Sequence, residues 1–118
     1  MANVFEDAQT FVTEAGLDKV LASNKQLLNI VYSEVNELEA ALADNDWIET
    51  MDAIIDSIVT LATLGVRFGF TADQLSAAWD EVQRSNMSKT IAPEVIDGKL
   101  QKGPHFVAPN LADIVFRG

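Results

Sequence analysis

The segment between Trp47 and Phe68 constrains the fold most, because its apolar residues cover most of a helical circumference. Two neighbouring stripes at helical spacing make up this surface: Ile48, Met51, Ile55, Ile58, Val59, Ala62 and Val66 in one, and Trp47, Ile54, Leu61, Gly65 and Phe68 in the other. A helix that is apolar on most sides must be covered on most sides. The few other helices of a 118-residue chain would struggle to do this alone. We therefore expect self-association, as a homodimer or homotetramer, with this helix near its centre.

Length and composition favour one compact domain over residues 1–118. The hydrophobic content of 48% supports a core and argues against disorder. The formal net charge of -10 argues against nucleic-acid binding, because phosphate contacts need clustered cations. An excess of acid is typical of a solubilising surface, a nucleic-acid mimic or a set of cation ligands. With no Cys and a single histidine, His105, the chain has neither thiolate chemistry nor a multi-His metal site of its own.

The sequence indicates neither export nor membrane insertion. Glu6 and Asp7 lie near the start, where a signal peptide would have a basic leader and an apolar core. The longest apolar run follows Asp56 and is too short and too mixed to cross a bilayer. We expect a soluble, cytoplasmic protein that binds no membrane.

Capping signals divide the chain into four helices and an irregular arm. The predicted helices run from Asn3 to about Gly16, from about Asp18 or Ser23 to about Ala43, from Asp46 to about Phe68, and from a capping box at Thr71 and Gln74 through Val82. The arm, residues 86–118, contains all three Pro and half of the six Gly. We expect a short final turn at 110–116 and no strand pair in the arm. The predicted fold is all-α: a four- to five-helix bundle with an irregular C-terminal arm, completed by oligomerisation.

The second helix combines an apolar stripe with two carboxylates. The predicted core stripe has spacing 3-4-3-4 and consists of Leu28, Val31, Val35, Leu38 and Leu42. Glu34 and Glu37 are three residues apart and share a flank with Leu27, Ile30 and Ala41. Desolvating charge beside apolar neighbours is costly, so this placement needs a reason.

The third helix carries its own acids, and together the two helices predict a metal site. Glu49, Asp52 and Asp56 lie within roughly 60° of one another on a helical wheel. If the two helices are antiparallel, Glu34 and Glu37 meet Asp52 and Asp56. Carboxylates held together repel unless a cation lies among them, and an all-oxygen ligand set suits Mg²⁺, or Mn²⁺ as a substitute.

Each acid also has a simpler interpretation. An acidic pair such as Glu34 and Glu37 is typical of a solvated helix face, and Asp46-x-x-Glu49 matches a capping box. Asp56 interrupts an apolar segment, where a structural Asp would bond a nearby backbone group or hydroxyl. A calcium loop is excluded because Glu49 stands where such a loop needs Gly, and a di-iron bundle is excluded because no Glu-x-x-His pair occurs.

Four segments of the chain resemble one known family. The segments are SEVNE at 33–37, ETMDAIIDSIVTLATLGVRFGF at 49–70, EVQRSNMSKT at 81–90 and DGKLQKGPHFVAP at 97–109. They are similar to motifs of the all-α nucleoside triphosphate pyrophosphohydrolases, the MazG-like and phosphoribosyl-ATP pyrophosphohydrolase-like group, in its phage-type branch. Ser33 stands where the family has a leading Glu. The second motif fits either Glu49 with Asp52, or Asp56 with Ala53 at the Glu position.

The resemblance implies Mg²⁺-dependent cleavage of a nucleoside or deoxynucleoside triphosphate between the α- and β-phosphates. The products would be a monophosphate and pyrophosphate, in deoxynucleotide-pool control within a bacterial or phage-infected cell. The implied catalytic residues are Glu34, Glu37 and Asp56, the implied metal ligands are Glu34, Glu37, Glu49, Asp52 and Asp56, and the implied substrate contacts are Asn86, Lys89, Lys99 and Lys102. Without the resemblance, the last four are equally well interpreted as a capping Asn and solvated lysines.

Two alternatives remain at this stage. A non-enzymatic acidic interaction protein, such as a nucleic-acid mimic, predicts acids spread over an exposed face. A phosphoribosyl-ATP pyrophosphohydrolase is a variant within the enzyme class, which the SNMSK segment at 85–89 favours less.

Overall fold

A computed structural model describes residues 3–117 and confirms a predominantly helical protein. The described elements are α1 (Val4–Glu14), α2 (Asn24–Ala43), α3 (Trp47–Phe68), α4 (Ala72–Ser88), β1 (Val95–Ile96), β2 (Lys99–Leu100) and α5 (Ala112–Arg117), with a 3₁₀ turn at Leu17–Lys19. In the part of the chain that is described, no helix has both the length and the apolar character needed to cross a membrane.

Side-chain caps set the starts of α1, α2 and α3, at Asn3, Ser23 and Asp46, whereas the capping box expected at Thr71 and Gln74 stays a prediction. The Asn3 side chain accepts hydrogen bonds from the backbone N–H groups of Phe5 and Glu6 at the start of α1. Ser23 and Gln26 form a reciprocal capping box, which places the start of α2 after Ser23. The earlier start considered at Asp18 falls in the 3₁₀ turn.

Backbone contacts group the chain into two compact units, one through Ala72 and one from Asp73. The single domain expected over residues 1–118 stays a prediction. In the first unit, α3 packs against both α1 and α2. The buried residues of these helices are Ala8 and Val12 in α1, Leu27, Val31 and Ala41 in α2, and Thr50, Ala53, Ala62 and Gly65 in α3. Because α3 buries only small residues, its backbone can lie close to its neighbours.

The core stripe predicted for α2 is wrong for the single chain. Of that stripe only Val31 is buried, while Leu28 and Leu42 are exposed by 44% and 53%. The helix instead buries the flank that contains Leu27 and Ala41, because this flank meets the small-residue face of α3. It is the same flank that carries Glu34 and Glu37, so the packing directs carboxylates toward α3.

The broad apolar surface of α3 remains largely uncovered in one chain. Trp47, Ile48 and Met51 are exposed by 73%, 82% and 70%. Further exposed apolar residues along this helix are Ile54, Ile55, Ile58, Val59, Leu61 and Phe68. An exposed apolar surface of this extent is uncommon on a monomeric soluble protein.

Within the second unit, hydrogen bonds attach the predicted arm to α4. The backbone N–H of Val107 donates to Ser88 Oγ at 2.9 Å, and that of Asn110 donates to Glu81 Oε1 at 2.9 Å. Gln74 Nε2 donates to the carbonyl oxygen of Ile114 in α5 at 3.1 Å. Side chains of α4 therefore hold the chain that follows it at several points.

The expectation of no strand pair is wrong. Val95 and Ile96 pair antiparallel with Leu100 and Lys99. The turn between them is Asp97–Gly98, where both residues have positive φ, 52° and 77°. An Asp-Gly dipeptide is favoured in such a two-residue hairpin turn, and this short-range pattern is visible in the sequence.

Candidate functional site

Three carboxylates of the first unit converge between α2 and α3. Glu34 and Glu37 from α2 and Asp56 from α3 each offer one oxygen, and these oxygens lie within 4.8 Å of one another. Only Asp44 to Asp46 connect the two helices, with Asn45 at φ 54°, so α3 turns back along α2. The spacing of three places Glu34 and Glu37 on one side of α2. We call these three residues the carboxylate cluster.

The cluster raises the pKa values of two of its members. Glu34 and Asp56 are half-buried, whereas Glu37 is exposed. Loss of hydration raises the pKa of Glu34 above its ordinary value, and the adjoining Glu37 carboxylate raises it further, followed by Asp56 and Asp52. Loss of hydration also raises the pKa of Asp56, followed by the effects of Asp52 and then of Glu37. The negative charge of these carboxylates, between α2 and α3, is therefore poorly compensated by other groups of the protein.

One oxygen of the cluster has no hydrogen-bond partner in the part of the chain that the structure describes. Glu34 Oε2 is buried and makes no hydrogen bond with the described residues, 3–117. Leaving a buried carboxylate oxygen unpaired costs free energy. A divalent cation would satisfy this oxygen and reduce the repulsion among the three carboxylates. The donor set is entirely oxygen, so the residues present fit Mg²⁺ or Mn²⁺.

The two other acids predicted as metal ligands differ in their relation to the cluster. Asp52 is exposed, yet it lies close enough to raise the pKa of both Glu34 and Asp56 and its carboxylate adjoins that of Asp56. Glu49 lies in the first turn of α3, where its backbone N–H donates to the capping Asp46 side chain at 3.1 Å. Among the described residues, Glu49 is not in the three-carboxylate set, so its ligand role stays a prediction.

Three of the four predicted substrate residues form a group in the second unit. Lys89 Nζ donates to Asn86 Oδ1 at 3.3 Å. Lys89 Nζ and Lys102 Nζ lie 5.7 Å and 5.2 Å from the centre of the Phe106 ring. A cation over an aromatic face is attracted by the negative face of the ring. We call Asn86, Lys89, Lys102 and Phe106 the Phe106 group.

Phe106 lies in the segment at 97–109 that resembles the family, yet it is not among the predicted substrate residues. An aromatic residue flanked by several of the few lysines of an acidic chain was the pattern that could have identified it. Lys99, the fourth predicted substrate residue, lies exposed on β2. Within residues 3–117, its ammonium group makes neither a hydrogen bond nor a cation–ring contact with the Phe106 group.

Comparison of the chain with protein-family models, with curated proteins and with solved structures found no match.

The residues of the carboxylate cluster and of the Phe106 group indicate which chemistry each can support. Half-buried carboxylates of raised pKa suit cation binding and proton transfer. The lysines of the Phe106 group suit anion binding.

Proposed function

We propose that this protein is a Mg²⁺-dependent nucleoside triphosphate pyrophosphohydrolase. It would cleave a nucleoside or deoxynucleoside triphosphate between the α- and β-phosphates, yielding the monophosphate and pyrophosphate. The observation that supports this most is the carboxylate cluster, with its buried and unpartnered Glu34 oxygen. The resemblance of the four sequence segments to the MazG-like group supports the reaction type.

In this proposal Glu34, Glu37 and Asp56 hold Mg²⁺, with Mn²⁺ as a substitute. The cation would neutralise charge on the phosphates and lower the pKa of bound water. A carboxylate beside the cluster accepts the proton of the water that attacks the α-phosphorus, and the bond from the α-phosphorus to the bridging oxygen breaks to release pyrophosphate. Asp52 suits this role because it is exposed and adjoins Asp56.

We assign the phosphate contacts to Asn86, Lys89, Lys99 and Lys102. Lysine ammonium groups bind phosphate oxygens as point charges. The chain has only 8 Lys and Arg residues against 18 acids, so two ammonium groups around one ring are a notable local concentration. Phe106 would restrict the mobility of Lys89 and Lys102.

The proposal includes assembly with further copies of the same chain. The uncovered apolar residues of α3, among them Trp47, Ile48 and Met51, need a partner surface that is equally apolar. A second copy presents the same surface and can meet it about a two-fold axis. Leu28 and Leu42 of α2 add further apolar area. We propose a homodimer or homotetramer that acts in the cytoplasm of a bacterial or phage-infected cell, in deoxynucleotide-pool control.

A non-enzymatic acidic interaction protein is the competing proposal. It needs acids displayed to a partner, whereas Glu34 and Asp56 are half-buried and lie where α2 and α3 face each other. Phosphoribosyl-ATP hydrolysis would use the same cluster and is distinguished by substrate alone.

The deciding experiment is a panel of all common nucleoside and deoxynucleoside triphosphates, with phosphoribosyl-ATP, in the presence of Mg²⁺ and with product identification. We expect monophosphate and pyrophosphate from at least one substrate, and no reaction in EDTA. A preparation of Glu34→Gln/Asp56→Asn controls for contaminating phosphatases. Orthophosphate as the sole inorganic product, or no turnover of any substrate by protein that binds Mg²⁺, would overturn the proposal.

A further inference from the structure

Ser88, the last residue of α4, joins the end of this helix to the arm through one oxygen. Its Oγ donates to the carbonyl oxygen of Ser85 at 2.6 Å and accepts from the backbone N–H of Val107 at 2.9 Å. A hydroxyl can do both at once, because it has one donor and two acceptor lone pairs. The first bond stays within the last turn of α4 and orients the hydroxyl. The second bond reaches a residue that lies 19 positions further along the chain.

A second bond holds the same stretch of the arm two helical turns earlier on α4. The backbone N–H of Asn110 donates to Glu81 Oε1 at 2.9 Å. The seven helical residues from Glu81 to Ser88 advance by about 10.5 Å. The three residues from Val107 to Asn110 lie outside any helix or turn, and an extended chain spans about 10 Å over that length. The two lengths match when the arm runs extended and antiparallel to α4, so the two bonds fix one register.

This register determines where the members of the Phe106 group lie. Lys89 directly follows Ser88, and Phe106 directly precedes Val107, so the Ser88 bond joins the backbone beside both. Lys89 Nζ lies 5.7 Å from the centre of the Phe106 ring, and cation–ring attraction extends to about 6 Å. A shift of the arm by one extended residue is about 3.3 Å, which is large compared with that margin.

We propose that Ser88 is a positioning residue, whose hydroxyl holds Phe106 against Lys89 and Lys102 and so arranges both ammonium groups for the oxygens of a polyphosphate. The inference rests on the proposed function, which assigns phosphate contacts to these lysines. Long side chains lose rotamer freedom when they bind a ligand, and this loss opposes binding. A ring fixed beside both lysines reduces that loss before the ligand arrives. The effect of Ser88 therefore belongs to affinity for the anion.

The exposure of Val107 separates this role from a contribution to folding. Val107 is 49% exposed, so water can accept its N–H when the Ser88 hydroxyl is absent. Removing the hydroxyl should therefore change the melting temperature little. Thr90 provides a matched control, because its Oγ1 donates to the carbonyl oxygen of Met87 at 2.7 Å, a bond of the same spacing that stays at the helix end.

Anion binding without metal tests the proposal. The amide resonances of Lys89 and Phe106 are followed by NMR while inorganic tripolyphosphate is added in EDTA, so that no metal at the carboxylate cluster contributes. We expect Ser88→Ala to raise the Kd at least about fivefold. Ser88→Thr, which keeps the hydroxyl, should stay close to the native protein, and Thr90→Val should change nothing. No binding by the native protein, or native affinity in Ser88→Ala, would overturn the proposal.

A double-mutant cycle tests whether Ser88 acts through Phe106. We expect Phe106→Leu to weaken tripolyphosphate binding, and Ser88→Ala to add little in that background, because the ring that the hydroxyl positions is already gone. Equal effects of Ser88→Ala in both backgrounds would show that the hydroxyl acts independently of the ring and would overturn the proposal.

Steady-state kinetics separate this inference from the proposed function. With Mg²⁺ and nucleotide, Ser88→Ala should raise KM and leave kcat nearly unchanged, and Ser88→Thr should restore KM. An active enzyme whose KM does not depend on the hydroxyl would overturn the role of Ser88 and retain the pyrophosphohydrolase. Tripolyphosphate binding that depends on Ser88, in a protein that hydrolyses no nucleotide, would retain the role of Ser88 and reject the enzyme.

Discussion

A carboxylate oxygen of Glu34 on α2 lies within 4.8 Å of a carboxylate oxygen of Asp56 on α3. Both side chains are partly withdrawn from water, and the pKa of each is raised. In the absence of a cation, two such groups oppose the packing of the helices that carry them. The proposed cation would couple metal binding to the folding of this unit, because a ligand that binds only the folded state stabilises it.

Neutral substitutions of the acids in the carboxylate cluster should show whether these side chains act in catalysis or only in folding. We expect Asp56→Asn or Glu34→Gln to lower kcat/KM at least about a hundredfold, because each removes an anionic ligand. Thermal unfolding in EDTA should show unchanged or increased stability, and Mg²⁺ should raise the melting temperature of the native protein only. Glu39→Gln, an exposed acid of the same helix, is the control. Strong unfolding of Asp56→Asn without metal would instead support a structural Asp.

Acid should weaken the attachment of the arm to α4. Hydrogen bonds from Arg84 and from the backbone N–H of Asn110 lower the pKa of Glu81 to about 2. Because the folded-state pKa lies below the unfolded one, the stabilisation is complete above the unfolded-state pKa and is lost as the pH falls through about 2. Glu81→Gln should therefore speed amide hydrogen exchange at Asn110 at neutral pH. Asp80→Asn, at the neighbouring exposed position, should leave that exchange rate unchanged.

The lysines of the Phe106 group should contribute mainly to substrate binding. We expect Lys89→Ala and Lys102→Ala to raise KM about tenfold with a smaller effect on kcat, because contacts made already in the ground state stabilise the bound substrate. Phe106→Leu should have a weaker effect of the same kind. Lys25→Ala, on α2, is the control. An unchanged KM in both lysine variants would remove the phosphate-binding role.

Assembly should depend on the apolar surface of α3. Analytical ultracentrifugation at micromolar concentration should show a dimer or tetramer, and Ile48→Lys should convert it to a monomer, because a charge in an apolar interface is costly to desolvate. Phe116→Lys on α5 serves as the comparison, since Phe116 is as exposed, at 83%, as Ile48 at 82%. A native monomer, or equal dissociation in both variants, would contradict the assignment of the interface to α3.

Local chemistry made much of this fold predictable. The caps at Asn3, Ser23 and Asp46 depend on neighbouring residues only, and the alignment of Glu34 with Glu37 follows from helical periodicity. These features can be predicted without knowing which helix faces pack against each other.

The features that depend on long-range packing were not predictable in the same way. On α2, the stripe through Leu28 and the flank through Leu27 both satisfy helical spacing, so periodicity cannot choose between them. The choice depends on the small residues of α3. The buried Arg67 Nε, which makes no hydrogen bond within residues 3–117, is likewise recognisable only once the helices have packed.

The small residues that α3 buries would also bear on which ion the proposed metal site prefers. Ala53 precedes Asp56 by one helical turn, and Ala62 follows it on the same packed helix. Small side chains at a helix contact let the two backbones approach closely, and the spacing of α2 and α3 bears on how far apart the carboxylates of Glu34 and Asp56 are held. Mg²⁺ needs oxygens at about 2.0–2.1 Å and Ca²⁺ at about 2.3–2.6 Å, so a few tenths of an ångström decide between them. Discrimination by ionic radius would then be set by alanines, which carry no charge and never touch the ion.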